Sequence, residues 1–567
     1  MGEAAERPAD GGPVAGSTQS PFGTSETAFS GPPVAWVSGA GIDGIFERMS
    51  EVLLYYRRPD PTTWVYLSSF LTVGLFFVFH RVWSVRNADL LLLILLGPGV
   101  LMVHEGYRRE LVRQDEASIS EAKSSNVPAA GQDALPDERI ATNEISTNEN
   151  STGENSTNGS STDGYSTNEN STNENSTSKD STTVGGPASD AAGAPRTAEN
   201  PARVQIIGFV YLFMIEMLLV VRLMLDPLMV RRPKLDPNLT AGGLTFIGLS
   251  LFIFMMANVV NSNARIQRTQ GPALGPGYAL MNMLPTIPTR SDPDLVGAGP
   301  LSLRPGETFV PTGYVPTLAG IAKTLAILAH GAIVSGIVLI CNRHFGNLRA
   351  GMGCATLYLM LPYTAQMTGR VDHAVPAALL LWAVLFYRRP LVAGVFLGLA
   401  GGLVYYPLFL LPLWMSFYWR RGLRPFVVGV VAMLTLLMLL LLVDGSGKSL
   451  VEHLQQMFGI LNPLGSRLQL QGFWRLGPDP IWRLPVIVAF VILSLFFAIW
   501  PAQKNLGTLI AGSAAVMASS QFWHGYGGGL YIAWFLPLLL LTIFRPNLQD
   551  RVATKVVRIR RSPAVAT

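Results

Sequence analysis

The sequence predicts an all-α, polytopic integral membrane protein with about 11 to 13 transmembrane helices, and three observations predict it. Of 567 residues, 49% are hydrophobic and only 14% charged, where a soluble domain carries nearer a quarter. Mean hydropathy is +0.33. The long apolar runs concentrate in 201–545 with a smaller group in 61–112, while 1–60 and 113–200 hold almost none. An ordinary soluble globular fold is excluded, and 42 Lys+Arg against 37 Asp+Glu gives no reason to expect a nucleic-acid partner. The expected partner is the lipid bilayer.

Five regions follow along the chain. Residues 1–60, rich in Gly, Pro, Ala and Ser, have little to bury and read as disordered, with a short interfacial helix expected over 42–56. No basic n-region and apolar h-region opens the sequence, so no cleavable signal peptide is expected. Residues 61–112 form an N-terminal transmembrane hairpin with spans at 64–83 and 89–103. The second is short and interrupted by Gly97-Pro98-Gly99, which predicts a break or a re-entrant segment. Residues 113–200 are a low-complexity linker in which S-T-N-E-N recurs from Ser146, Ser166 and Ser171. Repetition of one pentamer accounts for its N-x-S/T triplets.

The transmembrane core, 201–545, carries spans at 204–225, 239–260, 316–341, 349–367, 375–387, 426–443, 484–500, 506–522 and 530–544. Residues 390–419 are too long for one crossing and too short for two full ones. Arg388 and Arg389 precede them and Arg420, Arg421 and Arg424 follow. Because Lys and Arg collect on the cytoplasmic side, this segment is expected to be a hairpin of two short helices turning near Tyr405-Tyr406-Pro407. The basic tail 546–567, with Lys555, Arg558, Arg560 and Arg561, places the C-terminus in the cytoplasm, and a bacterial inner (plasma) membrane is the expected location. Lys504, Arg343 with Arg349, and Arg231, Arg232 and Lys234 then fall inside. Arg57, Arg58, Arg108 and Arg109 fit this layout poorly, falling outside.

With that topology the loops 261–315 and 444–483 and the turns 368–374 and 523–529 share the outer face. Arg370, Asp372 and His373 meet at one helix start, with Tyr363 and Gln366 a turn earlier, and Trp523-His524-Gly525-Tyr526 adds an imidazole among glycines. The loop 444–483 adds Lys448, Glu452, His453, Arg467, Trp474, Arg475, Asp479 and Trp482. Such a face suits an anionic, partly apolar ligand, with Arg for phosphate and aromatic rings for stacking. Trp474, Trp482 and Trp523 serve equally well as interfacial anchors, and Asp372 as a helix cap or dipole partner. Within the spans, Glu216, Lys323 and His330 are the polar candidates. They make a path for protons or substrate, or Glu216 and Lys323 form a structural ion pair, or Lys323 snorkels outward. Cys341 and Cys354 support neither a disulfide framework nor a thiolate metal site. No H-E-x-x-H, Walker loop, G-x-S-x-G or Rossmann fingerprint is present, and no repeated pair of broken helices marks a secondary transporter.

The block T-G-R-V-D-H-A-V-P from Thr368, the basic pair Arg388-Arg389, the small-residue segment that follows, and V-Y-Y-P-L-F-L-L-P from Val404 resemble the mid-region of GT-C class membrane glycosyltransferases. The likeness is to the polyprenyl-phosphate-mannose-dependent, alpha-mannosyltransferase-like branch. S-S-Q-F-W-H from Ser519, followed by Y-I-A-W-F-L-P from Tyr531, is similar to that branch's closing element. Together these cover about a third of the chain. The resemblance implies a GT-C-like fold, a polyprenyl-phosphate-sugar donor, an extracytoplasmic acceptor and a catalytic carboxylate in the first outer loop.

The chain departs from the pattern after the first span, where Arg81 to Asp89 lacks the acidic pair. The equivalent loop is then 261–315, with Asp292, Asp294 and Glu307 among Arg265, Arg268, Arg290 and Arg304. Asp372, Asp292 and Asp294 are the candidate bases. Arg370, His373, Arg475, His524 and Tyr406 are the candidates for lipid phosphate or substrate. The sequence identifies no cofactor with certainty, and a divalent cation is compatible with such a site. A transporter or lipid flippase, and a non-catalytic scaffold, are the alternative readings.

Overall fold

The computed structural model describes residues 60–125, 200–229, 235–261, 268–269, 274–275, 277–287, 316–443, 447–458 and 467–546, all within one unit, Arg58–Thr567. The interfacial helix expected over 42–56, the repeat linker, Asp292, Asp294 and the basic tail lie outside the described residues.

Among the described residues seventeen α-helices follow one another: α1 Pro61–Phe76, α2 Val85–Ser125, α3 Pro201–Leu225, α4 Ala241–Asn261, α5 Ala279–Met283, α6 Pro316–Ile340, α7 Leu348–Met360, α8 Pro362–Gln366, α9 Val371–Leu385, α10 Pro390–Leu403, α11 Leu411–Tyr418, α12 Leu423–Val443, α13 Leu450–Phe458, α14 Phe473–Leu476, α15 Arg483–Ile499, α16 Leu506–Ser519 and α17 Leu536–Phe544. One two-residue ladder, Arg268–Thr269 against Pro285–Thr286, is antiparallel. The class is all-α. Helix starts are written locally: Pro61, Pro201, Pro362 and Pro390 stand in first turns, where a missing N–H costs nothing. Asp60, Asn200, Asn347 and Asn505 accept from the first backbone N–H groups.

Six described helices are long and apolar enough to cross a membrane, spanning Val85–Glu110, Pro201–Leu228, Ala241–Val260, Thr317–Phe345, Leu423–Leu442 and Pro480–Ile499. Several other expected spans are shorter or broken. Residues 349–367 divide into α7 and α8 at Leu361-Pro362, because the residue before proline leaves the helical region. In 530–544 only α17 is α-helical, after a 3₁₀ turn at Ile532–Trp534. The first span ends at Phe76, and the side chain of Asn87 then holds the carbonyls of Val78, Arg81 and Val82 in a turn.

The expected break at Gly97-Pro98-Gly99 is corrected, since α2 runs continuously through Pro98. Its glycines serve packing instead. A Cβ on Gly99 would stand 2.6 Å from Leu212, and one on Gly208 of α3 would stand 2.7 Å from the Val103 nitrogen. Small residues bring these two backbones together, as in helix pairs where lipid replaces water. Gly398 of α10 repeats the device, 2.8 Å by its virtual Cβ from the Val430 carbonyl of α12. The hairpin expected over 390–419 is present: α10 ends before a 3₁₀ turn at Tyr406–Leu410, and Gly422 returns against Pro390.

Helices α16 and α17 are buried along their whole length and form the centre, with α4, α12 and α15 presenting rows of exposed leucine, isoleucine, valine and phenylalanine outward. One end of the bundle is closed by buried ion pairs. Arg222 at the end of α3 donates to Asp89 of α2 at 2.6 and 2.9 Å and to Asp226 at 3.1 Å. Arg545, just past α17, also binds Asp226. Three chain segments are pinned there, and their charges balance.

Candidate functional site

Nine residues before Arg222 along α3, about 14 Å at helical rise, Phe213 packs edge-on against Phe473 and Phe522 and supports Gly529. Here the loop from α16 to α17 folds over the hairpin turn. Gly527 and Gly529 have φ of 82° and 89°, a region side chains avoid, so the glycines around His524 serve the turn. Gln521 fixes its shape, accepting from the N–H groups of Gly529 and Tyr531.

The turn carries His524 into a stack of rings. Its centroid lies 4.6 Å from Tyr531, 5.2 Å from Tyr406, 5.5 Å from Trp534 and 6.2 Å from Tyr278. His373 stacks on the other side of Tyr531 at 4.5 Å. Tyr278 stacks on Tyr405 at 5.3 Å and on Tyr406 at 6.4 Å, and Tyr405 on Tyr406 at 4.5 Å. The Tyr526 N–H donates to His524 Nδ1 at 3.1 Å, which puts the ring proton on Nε2. That Nε2 is buried and has no partner among the described residues. Burial lowers the His524 pKa to about 3, with the positive charge of Arg483 and the imidazole of His373 adding to it and Asp372 opposing, so the ring is neutral. Burial likewise pushes the Tyr278 hydroxyl up, well above its ordinary value.

Arg483 opens α15 and turns inward at 4% exposure. Its Nε and Nη2 donate to the Trp523 carbonyl at 3.2 and 3.0 Å, and its Nη1 is buried without a partner. It forms no ion pair among the described residues, yet its charge acts on Tyr405, Tyr406, Tyr526 and His524. The Trp523 indole N–H is also buried and unpartnered. Arg483 Nη1, Trp523 Nε1 and His524 Nε2 are thus three buried donors without acceptors among the described residues, and the Arg483 charge, 6.0 Å from the centroid of the Trp474 ring, faces no carboxylate there. A buried charge in that condition is expensive, and an anion is the group that relieves it.

Asp372 is fully buried, with Arg370 Nε on one oxygen at 3.0 Å and Nη2 on the other at 2.7 Å. Its carbonyl accepts from the Trp534 indole at 2.9 Å, which ties α9 to the ring stack. His373 Nδ1 meets the Tyr363 hydroxyl, and its Nε2 is 3.9 Å from Asp372. The carboxylate orients a guanidinium, with each oxygen accepting one bond from Arg370.

Tyr406, His524, His373, Arg370 and Asp372 are therefore gathered at one end of the bundle. Arg475 is not: it is exposed on α14, and Arg483, eight residues on, enters in its place. Trp474 and Trp523 turn inward while Trp482 is 61% exposed, the position of an anchor. The expected pairing of Glu216 with Lys323 is corrected. Lys323 donates to the Val260 carbonyl at 2.6 Å, and both Glu216 oxygens are buried without a partner. His330 is held by Thr368 and Tyr358 at 3.1 and 3.0 Å. Among the described residues no cluster of three His, Cys, Asp or Glu could hold a metal ion.

Sequence reasoning missed Arg483, Tyr278, Tyr531 and Trp534. Arg483 stands at the head of an apolar span, where position alone does not separate an anchor from an inward-facing cation. Compared with protein-family models, curated proteins and solved structures, this chain has no match.

Proposed function

We propose that this chain is a multi-pass membrane protein of GT-C-like architecture, with about 11 to 13 crossings. It binds the phosphate of a polyprenyl-phosphate-linked sugar at the outer face and transfers that sugar to an extracytoplasmic acceptor. The observation that carries this reading is Arg483, a buried guanidinium with no carboxylate partner among the described residues and two unpartnered N–H donors from neighbouring rings. Guanidinium and N–H donors suit a phosphate. The surrounding Tyr and Trp rings suit the apolar chain and the sugar face.

In the transfer, the bond from the sugar's anomeric carbon to the phosphate oxygen breaks, and polyprenyl phosphate leaves with the electron pair. The acceptor oxygen forms the new bond and its proton passes to a base. Donors aimed at the departing phosphate stabilise the charge it gains. Asp372 is committed to Arg370 and acts by positioning it, so the base falls to Asp292 or Asp294.

The test supplies reconstituted protein with polyprenyl phosphate carrying a radiolabelled hexose and with a membrane extract as acceptor. Label should leave the donor while free polyprenyl phosphate appears, and Arg483→Gln should slow this by roughly 10- to 100-fold. Donor that binds but is never consumed would contradict transfer and leave a carrier or scaffold.

A further inference from the structure

A second set of unpartnered polar atoms lies on the single turn of α8. Gln366 is 2% exposed, and neither its amide oxygen nor its amide nitrogen has a partner; the hydroxyl of buried Thr364 has none either. Two turns of the same segment are otherwise well satisfied. The Thr368 hydroxyl returns to Thr364 and Ala365 at 2.8 and 3.0 Å, and Tyr363 meets His373. Tyr363 and Gln366 are three residues apart and so share one helix face. That face is the one turned to His373, which continues through Tyr531 to His524.

An amide left with two N–H donors and a carbonyl acceptor is complementary to a group that both accepts and donates. A phosphate offers only acceptors at neutral pH and would meet the amide oxygen unfavourably, whereas a hydroxyl donates and accepts at once. Resting on the reading above, we propose that Gln366 is a specificity-determining residue that recognises a neutral hydroxyl of the ligand's sugar, beside the Tyr363–His373 contact rather than at the anion site of Arg483. The site then has two chemistries, a cationic one for the phosphate and an amide one for the sugar.

The experiment measures affinity in nanodiscs for polyprenyl phosphate, polyprenyl phosphomannose and polyprenyl phosphoglucose, for wild type, Gln366→Leu and Arg483→Gln, with thermal stability of each without lipid. Gln366→Leu should keep its affinity for polyprenyl phosphate within about twofold and lose about tenfold on at least one sugar-bearing lipid. Arg483→Gln should weaken all three. Without lipid, Gln366→Leu should be as stable as wild type or more so, since it removes buried groups that lack partners. If Gln366→Leu binds every lipid as wild type does, or is destabilised as the loss of a structural, water-bridged amide would require, the inference fails and the anion site stands. If wild type binds none of the three lipids, both fail.

Discussion

The two ends of the helix bundle handle buried charge in opposite ways. At one, Asp89, Arg222, Asp226 and Arg545 join α2, α3 and the end of α17 with every carboxylate facing a guanidinium. At the other, Arg483 is as deeply buried but has a carbonyl and the face of Trp474 in place of a carboxylate, and His524, Trp523 and Gln366 bring further polar atoms with no partner among the described residues. A protein pays for buried polarity with partners where the group is structural; where partners are lacking, the fold holds a place for something else. The first end is a clasp. The second is the end to which binding is assigned in the proposal above.

The largest expected effect lies at the clasp. Asp226→Asn leaves Arg545 buried without its carboxylate and should cost about 3–5 kcal/mol of stability, read as a lowered Tm in detergent. Replacing Asp226 and Arg545 together by leucine should restore most of it, because the desolvation cost disappears with the pair. A single variant as stable as wild type would erase the contrast between the two ends.

A smaller effect sharpens it. Arg483→Met should leave the ligand-free protein within about 1 kcal/mol of wild type or raise its stability, because it removes an uncompensated charge. A loss equal to that at Asp226 would mean that Arg483 is structural.

The smallest is a pH dependence. His524 titrates near 3 when folded against about 6.5 unfolded. Below pH 6.5 the unfolded chain therefore takes up a proton that the folded chain refuses. Between pH 6.5 and 6.0 stability should fall by roughly 0.4 kcal/mol from this group, and His524→Phe should flatten that fall. Equal slopes in the two proteins would place His524 in contact with water.

The helices were legible because apolar runs and prolines are local signals. The hairpin followed from Arg388, Arg389, Arg420 and Arg421 flanking a run of intermediate length, and Gly422 against Pro390 bears it out. Pro98 misled, because whether a Gly-Pro-Gly breaks a helix depends on what packs against it, and Leu212 and Val103 are far away in sequence. The clasp was illegible for the same reason: Arg222 and Asp89 are 133 residues apart, and Arg545 and Asp226 are 319 apart. At the site, His524, Tyr406, Asp372 and Arg370 were readable from clustering in short turns. Arg483 was not, since its inward turn is set by the Trp523 carbonyl on another segment.

The most direct measurement is binding of polyprenyl phosphate to wild type and Arg483→Met in nanodiscs, with stability recorded on the same samples. Saturable binding by wild type that falls at least tenfold in Arg483→Met, with no loss of stability, is the predicted result. Equal binding by the two proteins, or none by folded wild type, would contradict the assignment of the uncompensated end as an anion site.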